Sequence, residues 1–62
     1  MTYQVTIWGS NQHDASEFDA LNTFEVEADT QEEAFELGEK AARGSYSNAD
    51  LAVQVGEDIK SI

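Results

Sequence analysis

Residues 24–36, which read FEVEADTQEEAFE, hold the two local patterns that decide the fold. The apolar residues at the start of this stretch alternate with acidic ones, as in a strand that buries one face. Thr30 and Glu33 then have the spacing of a capping box, in which two side chains satisfy backbone N–H groups at a helix start. The stretch therefore predicts a strand over residues 23–28 and a helix that begins near Gln31.

The predicted helix covers residues 31–43. Gly44 favours the left-handed conformation that ends many helices, so we expect the helix to stop at Arg43. At about 100° per residue, one face of the helix carries mainly small residues, which predicts close packing against a sheet. This stripe consists of Ala34, Leu37, Gly38 and Ala41, with Phe35 and Ala42 beside it.

Two further segments alternate as strands do. Residues 2–8, TYQVTIW, predict a first strand that ends at Gly9, and residues 51–55, LAVQV, predict a third strand. Residues 10–20 connect the first two strands, either as a wide loop or with a short helix in residues 14–21. The tail GEDIKSI either extends the third strand or forms a short fourth one.

This order of elements predicts an α+β fold with the topology ββαβ in a single domain of residues 1–62. A right-handed crossover through the helix returns the third strand beside the first. The expected sheet is therefore three-stranded and antiparallel, with the order 2-1-3. One main helix packs on one face of the sheet, and the optional short helix lies between the first two strands.

The charge of the chain is strongly acidic. Thirteen acidic residues face three basic ones, for a net charge of −10. The basic residues are Lys40, Arg43 and Lys60, so residues 1–39 contain no lysine or arginine. Such a surface repels nucleic acids and anionic membranes, because phosphate binding requires basic side chains. It attracts cationic partners and accelerates their encounter.

Motifs for catalysis or cofactor binding are not found in the sequence. It has no glycine-rich phosphate loop and no metalloprotease motif, and without cysteine it has no thiolate site. A lone histidine, His13, does not make a zinc site, and Asp14, Glu17 and Asp19 lack the spacing of a calcium loop. We expect no enzymatic activity, no cofactor and no metal. The absence of cysteine, of a signal peptide and of a membrane span indicates a cytoplasmic protein.

The candidate binding residues are acids on regular elements, together with one tryptophan. Carboxylates repeated along a strand and a helix resemble the phosphates of a nucleic-acid strand in charge and spacing. Trp8 falls at the end of the polar face of the sheet, where it either anchors an interface or caps the core. The expected outer face contains Gln4, Thr6, Trp8, Thr23, Glu25, Glu27 and Gln54. The candidate partner-binding residues are Trp8, Glu25, Glu27, Asp29, Glu32, Glu33, Glu36 and Glu39.

The segment FEVEADTQEEAFELGEKAA is similar to a strand–cap–helix unit of short, acidic, cysteine-free proteins from phages and other mobile elements. The resemblance covers residues 23–43 by pattern and the whole chain by size and charge. Such proteins include anti-CRISPR inhibitors, several of which resemble DNA in surface charge and bind the DNA-recognition subunit of a surveillance complex. Because these inhibitors share no common motif, the contact residues above are assigned from charge geometry.

The sequence thus predicts a binding protein that occupies the basic nucleic-acid-binding site of a protein partner, as a monomer or weak dimer. If phage-encoded, it would act in the host cytoplasm. The alternative is a small structural or regulatory module that pairs through a strand edge, with acidity that serves solubility or salt adaptation. Charged side chains opposite a helix core are the ordinary case, so both interpretations stay open.

Overall fold

The computed structural model describes residues 1–14 and 16–62 and contains one helix packed on an antiparallel sheet. The α+β class and the neighbour order 2-1-3 are confirmed. The prediction of three strands is wrong, because the tail forms a fourth strand and the full order is β2-β1-β3-β4. The elements are β1 (Thr2–Ser10), β2 (Phe18–Glu27), α1 (Gln31–Ser45), β3 (Leu51–Val55) and β4 (Asp58–Ser61).

The fourth strand depends on a two-residue hairpin loop at Gly56. Val55 pairs with Asp58 across this loop, and Gly56 has a φ of 62°. A positive φ at the first loop position only is the pattern of a type II′ turn, whose twist suits a tight hairpin and which favours glycine there. The local signal for β4 was therefore Gly56 between two short alternating segments.

β1 and β2 are longer than predicted. β1 continues through Gly9 to Ser10, and β2 starts at Phe18. Their register shifts between Ile7 and Trp8, which leaves Leu21 as an extra residue of β2. This bulge breaks the alternation of apolar residues, which is why sequence periodicity missed the first half of β2.

The connection before β2 contains no helix among its described residues. A hydrogen bond of 2.8 Å from the Asn11 N–H to the Glu17 carbonyl closes it as a loop, and Ala15 lies outside the described residues. Residues 18–21, part of the optional helix, belong to β2. Pairing with β1 outweighs the weak local capping pattern, since a short isolated helix gains little without packing.

The helix begins as predicted and ends later than predicted. Thr30 Oγ1 accepts a hydrogen bond of 3.2 Å from the Glu33 N–H, and Glu33 Oε2 accepts one of 2.9 Å from the Asp29 N–H. The prediction that Gly44 ends the helix is wrong: the helix runs to Ser45. Its C-cap is Tyr46, in an extended conformation with its N–H bonded to a helix carbonyl.

The core lies between the helix and one face of the sheet. Its largest fully buried side chains are Val5, Ile7, Val53 and Val55. A Cβ added to Gly38 would lie 2.6 Å from Val53 Cγ1 and 2.8 Å from Val5 Cγ1, so close packing explains this glycine, as predicted. Leu37, expected in the buried stripe, is instead 43% exposed, whereas Phe35 is buried.

Candidate protein-binding surfaces

The structure places the predicted acidic residues on two sides of the sheet. Glu25 pairs with Gln4 and Glu27 pairs with Thr2, and both glutamates lie on the face away from the helix. Asp29 lies in the turn before the helix. Glu32, Glu33, Glu36 and Glu39 lie on α1 and, apart from half-buried Glu39, are exposed.

The helical acids border depressions on the two flanks of α1. Glu33 and Glu36 line a shallow depression of about 260 Å³ toward β2, together with Glu27, Leu37 and Lys40. Glu32 and Glu39 instead line depressions that include Lys60 of β4. The β2 flank is thus the place where the structure brings strand and helix carboxylates together.

Glu27 is bound within the protein. Its Oε2 accepts a hydrogen bond of 2.8 Å from the Thr2 hydroxyl, and its Oε1 lies 3.1 Å from the α-amino group of Met1. The Thr2 hydroxyl, followed by the hydrogen bond and positive charge of the amine, lowers the pKa of Glu27. This carboxylate is therefore less free than its neighbours to pair with a partner.

Two other predicted residues have intramolecular roles. Glu33 completes the helix cap described above. Glu39 forms an ion pair of 2.9 Å with Arg43, one helical turn later. Among the described residues, Glu25, Asp29, Glu32 and Glu36 form no ion pair, although Glu36 and Lys40 have the i,i+4 spacing for one.

The three basic side chains all lie on the helix side of the sheet. Arg43 is paired as described, and Lys40 is on the same helix. Lys60 Nζ lies 4.7 Å from the ring centroid of Phe35, whose side chain is buried under the helix. The opposite face, which we call the outer face, therefore carries acids without a lysine or arginine.

The outer face also carries an apolar region that the sequence did not predict. Trp8, expected at its end, is half-buried, and its Nε1–H donates a hydrogen bond of 2.9 Å to Gln54 Oε1. With Phe18, Ala52, Ile59 and Ser61 it lines an open concavity of about 340 Å³. Phe18 and Ile59 were missed because their strand pairing was not evident from the sequence.

Two of the acids considered as metal ligands, Asp14 and Asp19, accept hydrogen bonds from residues of the connection between β1 and β2. The Asp14 carboxylate accepts hydrogen bonds from the hydroxyl and the N–H of Ser16 at 2.6 and 3.0 Å, and these bonds lower its pKa, the hydroxyl most. Asp19 accepts one of 3.0 Å from Asn11 Nδ2. Across residues 1–14 and 16–62, no three histidine, aspartate or glutamate side chains gather as a metal site would require.

Comparisons of the chain with protein-family profiles, with curated proteins and with solved structures found no match. In the described part of the chain, no helix is both long and apolar enough to cross a membrane.

Proposed function

We propose that this chain is a non-enzymatic acidic binding protein that occupies a basic nucleic-acid-binding site on a protein partner. The partner class that we favour is the DNA-recognition subunit of a nucleic-acid-binding complex. The chain would act there as an anti-CRISPR protein or another host-defence inhibitor does, by blocking access of DNA. In a phage-encoded setting, this would take place in the host cytoplasm.

The observation that carries this proposal is a set of exposed carboxylates with no ion pair among the described residues. Glu25 lies on a strand, Asp29 in the adjoining turn, and Glu32 and Glu36 on the helix. Their own fold does not neutralise them, so they are available to arginine and lysine of a partner. Arginine pairs with carboxylate through two parallel hydrogen bonds, as it does with phosphate.

The spacing of these groups supports the proposal. Glu32 and Glu36 are separated by about 6 Å of helix rise, at about 1.5 Å per residue. Glu25 and Glu27 are separated by about 6.6 Å of strand. Consecutive phosphates of one DNA strand rise by about 3.4 Å along the axis and lie farther apart through space. Carboxylates at this spacing can therefore meet cationic groups that bind successive phosphates.

A charge-reversal pair tests the proposal. The first step is a pull-down from purified nucleic-acid-binding complexes, followed by measurement of DNA displacement from the captured complex. E32K/E36K should weaken binding by about tenfold or more and reduce its dependence on salt, because charged contacts determine both. The matched control is E17K/E57K, which changes the net charge equally at two exposed sites outside the proposed contact set.

Two results would contradict the proposal. One is partner binding that E32K/E36K leaves unchanged. The other is an equal loss in the control, which would mean that net charge alone governs the interaction. Circular dichroism of both double variants establishes that the fold is retained, so that loss of binding is not loss of structure.

One observation favours a second candidate, a structural or regulatory module that dimerises through a strand edge. β2 is ten residues long and, among the residues that the structure describes, pairs with β1 alone, which leaves one side of its backbone open. β4 is the other edge strand, so the prediction that β3 would be an edge is wrong. Light scattering at low and high salt separates the candidates: a dimer that persists in salt and ignores basic partners favours the second.

A further inference from the structure

Each of the four strands contributes one residue to an apolar patch on the outer face. These residues are Trp8 of β1, Phe18 of β2, Ala52 of β3 and Ile59 of β4, and we call them the outer apolar patch. Phe18 is 41% exposed and Ile59 is 58% exposed, whereas Ala52 is buried and forms the floor. Large exposed apolar side chains that gather in one concavity are typical of an interaction site.

The Trp8 side chain is fixed by its neighbours in the sheet. In the register of the sheet it lies between Ala20 and Ala52, two small residues, and Ala52 lines the concavity beside it. Its Nε1–H is bonded to Gln54, and the Gln54 amide in turn donates a hydrogen bond of 3.0 Å to the carbonyl of Gly56. A fixed ring loses little conformational entropy on binding, which favours its use as an anchor.

The charge around the patch identifies the kind of occupant. The outer face carries Glu25 and Glu27, and every lysine and arginine lies on the helix side, as shown above. Glu27 is paired with the Met1 amine, and a second copy of the chain would bring no lysine or arginine on its own outer face to Glu25. Like charges placed opposite one another disfavour such a pair, whereas a cationic partner gains from the same arrangement.

We propose that the outer apolar patch and Glu25 form one docking surface for a cationic segment of a protein partner. An apolar side chain of that segment enters the concavity beside Trp8, and an arginine or lysine reaches Glu25. Glu25 pairs with Gln4, four residues from Trp8 along β1. The anchor and the charge are therefore about 13 Å apart at about 3.3 Å per residue.

This inference rests on the proposed function only for the positive charge of the partner. It adds that recognition requires an apolar anchor, and that this anchor lies on the outer face of the sheet. Glu25 belongs to both claims, but the proposed function is tested at Glu32 and Glu36 and this inference at Phe18 and Ile59, so the two can fail separately.

The probe is the peptide acetyl-Ile-Ser-Thr-Ser-Arg-Ser-Arg-amide, added to isotope-labelled protein at millimolar concentration. Its apolar residue and first arginine match the spacing above in an extended conformation. Control peptides replace isoleucine by serine, or both arginines by glutamate. Trp8 is the sole tryptophan of the chain, so its indole resonance and fluorescence report directly on the patch. We expect shifts at Trp8 and at outer-face amides with the first peptide only.

The variants are F18S and I59S, each made alone, with L37S as the matched control. Leu37 is 43% exposed, close to the 41% of Phe18, but lies on the helix. F18S and I59S should each lower the affinity for the peptide by about threefold or more, as expected when an apolar contact of about 0.7 kcal/mol or more is lost. L37S should leave the affinity within error. E25Q should lower the affinity for the peptide more than E36Q does.

Shifts confined to helix amides, or an equal effect of L37S, would overturn this inference and leave the proposed function standing. Absence of shifts at Trp8 with the matched peptide would overturn it as well. Self-association of the protein that I59S abolishes would assign the patch to a second copy. The proposed function is judged independently, by the partner binding of E32K/E36K.

Discussion

Trp8 and Gln54 lie diagonally across neighbouring strands of the outer face, joined by a hydrogen bond of 2.9 Å from the indole Nε1–H to the amide oxygen. The directly opposed pairs are Trp8 with Ala52 and Thr6 with Gln54. A diagonal contact of this kind is within reach of long side chains. It fixes the orientation of the indole ring within the outer apolar patch.

Removal of this acceptor should loosen the indole. In Q54L the leucine cannot accept the hydrogen bond from the Trp8 Nε1–H. We therefore expect faster hydrogen exchange of the indole proton and a loss of about 0.5–1.5 kcal/mol in unfolding free energy. Q4L is the matched control, since Gln4 is exposed on the same face and β1. Two-dimensional NMR and urea unfolding measure both quantities. Equal indole exchange in the two variants would show that the bond does not hold the ring.

Two glycines of the same helix should respond oppositely to alanine. A methyl at Gly38 meets Val53 and Val5 below 3.0 Å, whereas one at Gly44 meets nothing within 4 Å. G38A should destabilise the protein by about 1–3 kcal/mol through overpacking. G44A should stabilise it by about 0.5 kcal/mol, because alanine has the higher helix propensity. Thermal and urea unfolding test this, and a stabilising G38A would show that the helix is less closely packed than described.

The helix cap should contribute to stability independently of any partner. T30A removes the acceptor for the Glu33 N–H and should lower the unfolding free energy by about 1 kcal/mol. S47A is the control, because Ser47 is exposed in the loop after the helix. Urea unfolding followed by circular dichroism compares them. If T30A were as stable as S47A, the capping box would not explain where the helix begins.

The Glu27 carboxyl should titrate below the ordinary glutamate range. Its lowered pKa means that the folded protein favours the ionised form, so this contribution to stability is present at neutral pH. It is lost as the pH falls through the lowered pKa. Carboxyl carbon NMR against pH measures the value in the folded protein. T2A should raise the Glu27 pKa, because the hydrogen bond from the Thr2 hydroxyl is the largest cause of its lowering. T23A should leave the Glu27 pKa unchanged.

Local patterns predicted the elements whose signals lie within a few residues. The alternation of Val5 and Ile7 marked β1, and Thr30 with Glu33 marked the helix start. The end of the helix was missed because Gly44 stays in the helix and does not adopt a positive φ. Helix propensity is a weak guide where the following residues can supply a cap of another kind, as the Tyr46 N–H does here.

The candidate surfaces were predictable only in part. The exposure of Glu25, Glu32 and Glu36 followed from strand and helix periodicity, and all three are exposed. Which depressions the helical acids border did not follow, because that depends on which side of the helix faces β2 and which faces β4. The outer apolar patch was missed for a similar reason, since Phe18 and Ile59 meet Trp8 only through the bulge in β2 and the hairpin at Gly56.

The sequence by itself determined the acidity, the α+β class, the capping box and the small-residue helix face, because each depends on composition or on neighbours within a turn or strand. Tertiary structure decided the bulge in β2 and the assembly of the outer apolar patch. These features depend on cross-strand register, and a shift of one residue moves a side chain to the opposite face of the sheet. No local pattern carries that information, since register is set by pairing between segments distant along the chain.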